Sequence, residues 1–500
     1  MSIDQFPEVW LRLSIGDVAN VIAGGTPKAS NPDNFSEPGT GISWLTPADL
    51  SSYSEKFIRH GSRDLSQLGY DSSSAKLMPA GSLLFSSRAP IGYVAIASNE
   101  ISTNQGFKNF VFPYGIDSSY AYYFLKSIRG LAESLGTGTT FKEISGATAK
   151  TLPFLLPPIA EQKVIAEKLD TLLVQVESTK AHLELIPEIL NRFRQSVLAS
   201  AVSGKLTEKC NFNGDNYYAQ LDVEISKDSK LKRVPFLTPD DINQAKSLFN
   251  GAEWNRWRLY PLELLVDSER GIPYGIVQTG EPDLDGIPTI RCGDVKPLSV
   301  DMKELKLVSR EIEAQYSRTR LIGNEVILAI RGTVGNAAVI TEEMVKLPLN
   351  ISREVAMIPV RKNVNSHYIA LLLQSPGGFL SLAEKTKGVA QRGINLADVK
   401  RLVTPLPSYD EQVEIVRRVE ELFSFADTIE KNATNALELV SNLTQSILTK
   451  AFRGELTAEW RKENPGLISG ENSAEALLLK IKAERENLKP VNIARSRKKA

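Results

Sequence analysis

Residues 161–207 read EQKVIAEKLDTLLVQVESTKAHLELIPEILNRFRQSVLASAVSGKLT, and residues 411–457 read EQVEIVRRVEELFSFADTIEKNATNALELVSNLTQSILTKAFRGELT. The two stretches align without a gap at a constant offset of 250 positions. They share the opening Glu-Gln, the closing Gly-x-Leu-Thr and seven further identities between these ends. Self-similarity at a fixed spacing indicates an internal duplication, so the fold must accommodate two copies of this stretch.

The apolar residues of each copy recur alternately every four and every three positions. A sustained period of 3.5 residues predicts the seam of a coiled coil, because a lone surface helix shows a broader apolar stripe. The predicted seam consists of Ile165, Leu169, Leu172, Val176, Leu183, Ile186, Leu190, Phe193 and Val197 in the first copy and of Ile415, Val419, Leu422, Ile429, Val440, Leu443 and Ile447 in the second. We therefore expect two long helices that pack against each other.

Helix length and helix ends follow from the same stretch. From Ile165 to Val197 a helix would span about 50 Å, longer than one turn of B-DNA. Pro187 lies inside the pattern and predicts a bend, since proline removes a helix hydrogen bond. Gly204 and Gly454 follow the last apolar turn, where helices commonly end.

Composition limits the class of protein. Of the 500 residues 42% are hydrophobic, which suits about three soluble globular units. The two cysteines, Cys210 and Cys292, offer neither a disulfide framework nor a cysteine zinc site, so we expect a cytoplasmic protein. No apolar run is long enough for a membrane span, and residues 1–27 lack the pattern of a secretory signal. The zero net charge counts mildly against a protein that binds DNA alone.

Outside the repeat, two stretches of glycine-rich and proline-rich sequence predict mixed domains of short strands and turns. They echo each other, since Arg88 and Gly92 match Arg331 and Gly335 in spacing, which indicates one fold with two different surfaces. The predicted organisation is a first mixed domain at residues 1–152, a first long helix at 153–207, a partly ordered connector at 208–251, a second mixed domain at 252–403, a second long helix at 404–457 and a tail with a short helix at 458–500.

The sequence offers no convincing catalytic centre. The three histidines are scattered, which argues against a metal cluster. Residues 204–207 lack the glycine and hydroxyl pattern of a phosphate-binding loop. Residues 31–34, Asn-Pro-Asp-Asn, lack the proline and aromatic residue with which amino-methylating DNA methyltransferases hold a flipped base. We interpret the chain as non-catalytic.

The order of these motifs resembles the specificity subunit of type I restriction-modification systems. The resemblance covers essentially the whole chain, and it rests on order, duplication and spacing more than on any single motif. The residues that carry it are Leu156, Pro157, Glu161, Gln162 and 204–207, their second copies Leu406, Pro407, Glu411, Gln412 and 454–457, and residues 24–27.

The resemblance implies an α+β fold of two globular mixed α/β target-recognition domains, joined by the two repeated helices as an antiparallel coiled coil with a pseudo-twofold internal repeat. Each domain would read one half of an interrupted site in double-stranded DNA. Two methyltransferase (M) subunits would dock on the helices, and restriction and translocase (R) subunits would complete the complex. S-adenosylmethionine, ATP and Mg²⁺ would belong to those partners, and this chain would bind no cofactor and no metal.

Residue chemistry selects candidates for the DNA contacts. Base edges call for Arg, Lys, Asn or Gln, while phosphates accept hydrogen bonds from basic side chains, hydroxyls and glycine-rich backbone. In the first domain the candidates are Thr26, Lys28, Arg88, Asn104, Gln105, Lys108, Thr139, Thr140 and Lys142. In the second domain they are Arg291, Arg331, Asn350, Arg353, Lys387, Gln391 and Arg392. Each could equally be an exposed loop residue without a ligand.

Two other functions remain open at this level. A coiled-coil scaffold with paired protein-binding domains would not bind DNA, and salt dependence of binding would separate it from a DNA-reading protein. A self-contained methyltransferase with a degenerate active site would transfer methyl groups without any partner.

Overall fold

The computed structural model describes residues 5–51, 53–88, 90–113, 115–138, 142–250, 254–384 and 393–487. Its internal contacts divide the chain into two units. Unit 1 combines Met1–Glu184 with Asn435–Ala500, and unit 2 is Leu185–Thr434. The predicted boundaries treated the long helices as separate segments, whereas in these units each long helix begins in one unit and ends in the other.

The described residues form helices and short strands. The helices are α1 Ile15–Val18, α2 Gln67–Asp71, α3 Ser118–Ser127, α4 Arg129–Ser134, α5 Gly146–Thr151, α6 Ile159–Val202, α7 Asp215–Lys227, α8 Pro239–Phe249, α9 Arg310–Ala314, α10 Ser366–Gln374, α11 Pro376–Ala383, α12 Leu396–Lys400, α13 Tyr409–Phe452, α14 Ala458–Glu463 and α15 Ala474–Asn487. The strands of unit 1 are β1 Leu11–Ser14, β2 Asn20–Ala23, β3 Phe35–Ser36, β4 Trp44–Leu45, β5 Phe57–Ile58, β6 Asp64–Leu65, β7 Leu83–Phe85, β8 Val94–Ala97, β9 Ser102–Thr103, β10 Lys108–Val111 and β11 Pro153–Leu156. Those of unit 2 are β12 Arg258–Pro261, β13 Ile287–Ile290, β14 Val295–Lys296, β15 Ser299–Val300, β16 Lys306–Val308, β17 Val326–Ala329, β18 Ala337–Val339, β19 Asn350–Ile351, β20 Val355–Ile358 and β21 Val403–Leu406.

Both units contain the same three strand pairings. In unit 1 the antiparallel order β10-β7-β8 lies within a five-stranded sheet, β4 pairs with β9 in parallel, and β1 pairs with β11. In unit 2 the order β20-β17-β18 is antiparallel, β13 pairs with β19 in parallel, and β12 pairs with β21. The sheet strands are buried apolar runs such as Leu83–Phe85 and Val326–Ala329, which places them in the core of each unit.

The two long helices α6 and α13 contain 44 residues each, about 66 Å at 1.5 Å per residue. Within unit 1, Ile165 and Leu169 from the start of α6 share a core with Leu448 and Phe452 from the end of α13. Within unit 2 the pairing is reversed, because the end of α6 packs against the start of α13. The helices are therefore antiparallel in each unit, which confirms the predicted fold class.

Glycine ends both helices in a conformation that other residues avoid. Gly204 has φ +87° and Gly454 has φ +74°, both in the left-handed region. A Cβ atom on Gly454 would lie 2.3 Å from Pro7 Cγ, so this position also excludes a side chain by contact. The helix α6 passes through Pro187 without interruption.

The ends that are identical in the two repeats contact each other through hydrogen bonds. In unit 1 the buried Glu161 carboxylate accepts hydrogen bonds from Thr457 Oγ1 at 2.6 Å, from Trp10 Nε1 at 2.8 Å and from Arg461. In unit 2 the corresponding Glu411 accepts from Thr207 Oγ1 at 2.6 Å. The Glu of each repeat is thus paired with the closing Thr of the other repeat.

The glutamine beside each of these carboxylates fastens the helix to its domain. Gln162 Oε1 accepts from the backbone nitrogen of Asp117 at 2.9 Å, and Gln412 Oε1 accepts from that of Asn365 at 2.8 Å. Asp117 and Asn365 are the N-cap residues of α3 and α10. In each repeat, therefore, the glutamate bonds to the other repeat and the glutamine bonds to the adjacent mixed domain.

The predicted seam residues differ in burial. Ile165, Leu169, Val176, Leu190, Val197, Ile415, Val419 and Val440 are buried, and Leu172, Leu183, Ile186, Phe193, Leu422, Ile429 and Ile447 are half-buried. Leu443 is 44% exposed, and this position disagrees with the predicted seam. Among the described residues no helix is long and apolar enough to cross a membrane.

The connector at residues 208–251, for which the sequence predicts a partly ordered segment, contains two helices. Its helices α7 and α8 contribute Leu221, Ala245 and Phe249 to the core of unit 2. The tail helix α15 lies within residues 458–500, where the sequence predicts a short helix, and it contributes Leu477 and Ile481 to the core of unit 1. Each unit is thus completed by a segment that follows a copy of the repeat.

Candidate nucleic-acid interface

The ends of several strands meet in unit 1 and form what we call loop cluster 1, residues 24–28, 46–50, 87–88, 104–106 and 142–143. Backbone hydrogen bonds hold these segments together. They run from Gly25 N to Thr103 O, Asn104 N to Leu45 O, Ser87 N to Gly106 O and Ile144 N to Ser87 O, with lengths of 2.8, 2.8, 2.8 and 3.0 Å. The buried strands therefore present several loops at one place.

Unit 2 repeats this arrangement in loop cluster 2, residues 275–278, 291–294, 330–333, 352–354 and 393. The corresponding bonds run from Ile276 N to Ile351 O, Ser352 N to Ile290 O, Ile330 N to Glu354 O and Ile394 N to Ile330 O, with lengths of 2.8, 2.9, 2.9 and 2.9 Å. In both clusters an aspartate closes the turn after a strand. Asp49 accepts from Thr46 N at 2.7 Å, and Asp294 accepts from Arg291 N at 2.8 Å.

Two of the predicted basic residues, Arg88 in loop cluster 1 and Lys108 at the start of the adjoining strand β10, share one carboxylate. Arg88 Nε donates to Glu143 Oε2 at 2.8 Å, while Lys108 Nζ lies 3.3 Å from Glu143 Oε1 and 3.3 Å from Ser87 Oγ. The Lys108 side chain is 10% exposed and the Arg88 side chain 44%. Burial raises the pKa of the Glu143 carboxyl, but the hydrogen bonds and charges of Arg88 and Lys108 outweigh it, and the pKa is lowered.

The other candidates in loop cluster 1 vary in exposure. Lys28, Gln105 and Lys142 are exposed, and Thr26 and Asn104 are half-buried. Thr26 Oγ1 accepts from the backbone nitrogen of Gln105 at 3.4 Å, and Asn104 Oδ1 accepts from that of Gly106 at 2.8 Å. Thr139 and Thr140 lie outside the described residues, as do Lys387, Gln391 and Arg392 of the second domain.

Loop cluster 2 carries three exposed arginines on three different segments, Arg291, Arg331 and Arg353. Arg291 Nε pairs with Asp294 at 3.1 Å, and its terminal nitrogen donates to the carbonyl of Glu304 at 3.0 Å. Arg331 and Arg353 form no ion pair among the described residues. Loop cluster 2 therefore offers exposed positive charge at the ends of buried strands.

Asn350 is the candidate that the structure removes from the surface. Its side chain is fully buried, its amide donates to Glu313 at 3.0 Å, and its carbonyl oxygen accepts from Thr319 at 2.7 Å. A buried amide with both ends bonded holds the chain in place and presents no atom to a base. The sequence pattern could not reveal this, since asparagine is equally common in both roles.

The residues selected from the sequence include neither Glu143 of loop cluster 1 nor Cys292 and Glu354 of loop cluster 2. Glu143 was not among the candidates, although it orients two that were. In loop cluster 2, Cys292 Sγ donates to Glu354 Oε2 at 3.1 Å, and burial together with that carboxylate raises the pKa of the thiol. No signal in the sequence points to Glu143, because the residue at the matching position of the second domain is Gly393.

Comparison with known proteins gives concordant results. The family model described as the type I restriction modification DNA specificity domain matches residues 7–188 and 286–439. The EcoBI specificity subunit of Escherichia coli is 44% identical over 367 residues, covering 73% of this chain and 71% of that protein. The EcoKI specificity subunit of Escherichia coli strain K12 is 38% identical over 384 residues, covering 74% and 72%.

Solved structures share the fold. The HsdS subunit from Thermoanaerobacter tengcongensis matches with a TM-score of 0.55 at 17% identity, covering 90% of this chain and 98% of that chain. A chain from a structural study of complex assembly and conformational transition of the type I R-M system matches with a TM-score of 0.58 at 16% identity, covering 90% and 99%.

Proposed function

This chain belongs to the family of type I restriction-modification specificity subunits, and from that premise we propose that it reads an interrupted site in double-stranded DNA, one half with each loop cluster. The observation that carries this proposal is that matching backbone hydrogen bonds hold both clusters while the exposed side chains differ. A common frame with different side chains suits two readers of different base sequences.

The partners proposed are methyltransferase subunits and restriction subunits, with two methyltransferase copies, one for each copy of the repeat. Support comes from apolar side chains that the long helices expose. In unit 1 Val174 is 68% and Leu439 69% exposed, and in unit 2 Ile189 is 58% and Phe425 62% exposed. Large exposed apolar residues on a helix are typical of surfaces that bind another protein.

Catalysis, in this proposal, belongs to those partners. S-adenosylmethionine, ATP and Mg²⁺ would act there, and the chain would direct adenine-N6 methylation and restriction in the cytoplasm without performing them. In support, the sequence offers neither a methyltransferase tetrad nor a phosphate-binding loop. The alternative of a scaffold that does not bind DNA has no support in the comparisons.

The test is methylation mapping of DNA from cells that produce this chain with its methyltransferase partner. We expect an interrupted motif with methylated adenines on opposite strands of its two halves, lost when the chain is absent. Exchange of residues 1–152 for the corresponding domain of another family member should change one half of the motif. Methylation that does not depend on this chain, or a change in both halves, would contradict the proposal.

A further inference from the structure

An arginine occupies the same backbone position in both loop clusters. Arg88 forms an isolated antiparallel bridge with Glu143, and Arg331 forms the same type of bridge with Gly393. The residue before each arginine makes matching backbone hydrogen bonds. Ser87 donates to Gly106 and accepts from Ile144, while Ile330 donates to Glu354 and accepts from Ile394. Arg88 and Arg331 are thus structural counterparts.

The ionic surroundings of these arginines do not recur. Glu143 is replaced by Gly393, and the register of the strands places Ala356 where unit 1 has Lys108. Residues 385–392 contain no aspartate or glutamate, and among the described residues Arg331 has no carboxylate partner. Both clusters have the arginine but only the first has the ion pair, so the ion pair cannot explain why an arginine occurs in both. What the two share is exposure at the loop cluster.

The contact with Glu143 orients the Arg88 guanidinium. Its Nε is bound to Glu143 Oε2 at 2.8 Å, while its two terminal nitrogens make no hydrogen bond within the described part of the chain. Lys108, which is nearly buried, binds the other oxygen of Glu143 and thereby fixes the carboxylate. The exposed edge of Arg88 consequently presents two parallel N–H donors in a set direction.

Two parallel donors match one base edge in the major groove better than the others. Guanine presents two adjacent acceptors, O6 and N7, whereas adenine presents one acceptor beside a donor and thymine one acceptor beside a methyl group. We propose that Arg88 reads a guanine in the first domain's half of the site and that Glu143 is its positioning residue, an inference that rests on the proposed function. Arg331 has Gly393 at the position of Glu143 and therefore no such positioning carboxylate there.

The experiment compares variants of the full chain, each produced with its methyltransferase partner, by mapping methylated adenines across genomic DNA. Arg88→Ala should make one G·C position of one half-site degenerate, with the preference for guanine falling about ten-fold to a hundred-fold. Glu143→Gln should weaken that preference at the same position to a smaller extent. The other half of the motif should stay unchanged in both variants.

Arg129→Ala is the matched control. The Arg129 side chain is also 44% exposed, and its Nε also binds a carboxylate, that of Glu133 at 2.9 Å, but it lies outside the loop cluster. We expect this variant to keep the complete motif. A loss of guanine preference in Arg129→Ala as well would overturn the assignment of that role to Arg88.

Other outcomes separate this inference from the proposed function. A uniform fall of methylation at every site with an unchanged motif would overturn the inference, since a phosphate contact or a structural role acts in that way. A first half-site without any G·C pair would do the same. Methylation that is independent of the chain would instead refute the proposed function. If Arg88→Ala yields no intact complex, Arg88→Lys takes its place in the comparison with the unchanged chain, because lysine keeps the positive charge but lacks the two parallel N–H donors.

Discussion

Glu161 is a buried carboxylate at the start of α6, and its hydrogen bonds come from both ends of the chain. Trp10 donates to it from the first domain, Thr457 from the last position of the second repeat and Arg461 from the segment that follows. The Arg461 side chain is 15% exposed and that of Glu161 is fully buried. A buried charge of this kind is stable only while its partners remain in place.

Replacing Arg461 by methionine should therefore destabilise unit 1. The substitution removes the charge that compensates Glu161 while keeping the length of the side chain, and we expect a loss of about 3 kcal/mol or more in the free energy of unfolding. Urea unfolding followed by circular dichroism measures it.

Arg192→Met is the control for this substitution. Arg192 pairs with Glu188 on the surface of α6, with the Arg192 side chain 79% exposed. Exposed pairs of this type contribute about 0.5 kcal/mol or less, so the control should unfold close to the wild-type midpoint. Equal losses in the two variants would show that the burial of Glu161 is not what makes Arg461 important.

Prediction from sequence at the scale of single residues was uneven, and the reasons are physical. The repeat identifies Glu161 and Thr457 as residues that are present in both copies. A constant offset between the copies does not show which of these residues contact each other. The candidates Arg88 and Arg331 lie in equivalent loops, as their spacing suggested. Asn350 was chosen for its chemistry and proved to be buried, because exposure depends on neighbours that are distant in sequence.

At the scale of elements, the long helices were the most predictable part of the fold. Their apolar period extends over many turns, and the predicted span of Ile165 to Val197 lies inside the observed helix Ile159–Val202. The helix α7 was missed because it has 13 residues, and its burial depends on a few residues such as Tyr218 and Leu221. Short amphipathic helices carry too little periodic signal to be distinguished from a polar connector.

The seam of the long helices allows a matched comparison of two leucines. Leu190 is 5% exposed and Leu443 is 44% exposed, although the sequence pattern placed both in the seam. Leu190→Ala should cost about 2 to 4 kcal/mol, because it removes buried methyl groups and leaves a cavity. Leu443→Ala should cost less than about 1 kcal/mol.

Urea unfolding of both leucine variants, with the m-value checked for constancy, gives the comparison directly. A cost for Leu443→Ala as large as that for Leu190→Ala would mean that the exposed face near Leu443 is covered in solution. Since the proposed methyltransferase partner would bind the long helices, the measurement is to be made on the chain without it.

At the scale of the whole molecule, a net charge of zero must be reconciled with DNA binding. We predict that the complex with the methyltransferase partner loses affinity for DNA steeply with salt, by at least about a hundred-fold between roughly 50 and 200 mM, because many phosphates are neutralised. The chain alone should show a shallower dependence. Fluorescence anisotropy with a labelled duplex measures both slopes.

The comparison of slopes has a clear opposite outcome. If the chain alone shows the same slope as the complex, its own basic residues make most of the phosphate contacts, and the partner contributes little of the charge. Affinity that hardly changes with salt in either sample would point to an apolar interface and would favour a scaffold over a DNA reader.

The division of the chain into units has a consequence for its synthesis. Unit 2 is one continuous segment, Leu185–Thr434, whereas unit 1 needs residues from both ends. On a ribosome that adds about 5 to 20 residues per second, Glu161 waits roughly a quarter of a minute to a minute for Thr457 and Arg461 to be made. The domain that is translated first is therefore completed last, and during that interval the apolar residues at the start of α6 lack Leu448 and Phe452, with which they share a core. This part of the nascent helix then needs protection from aggregation.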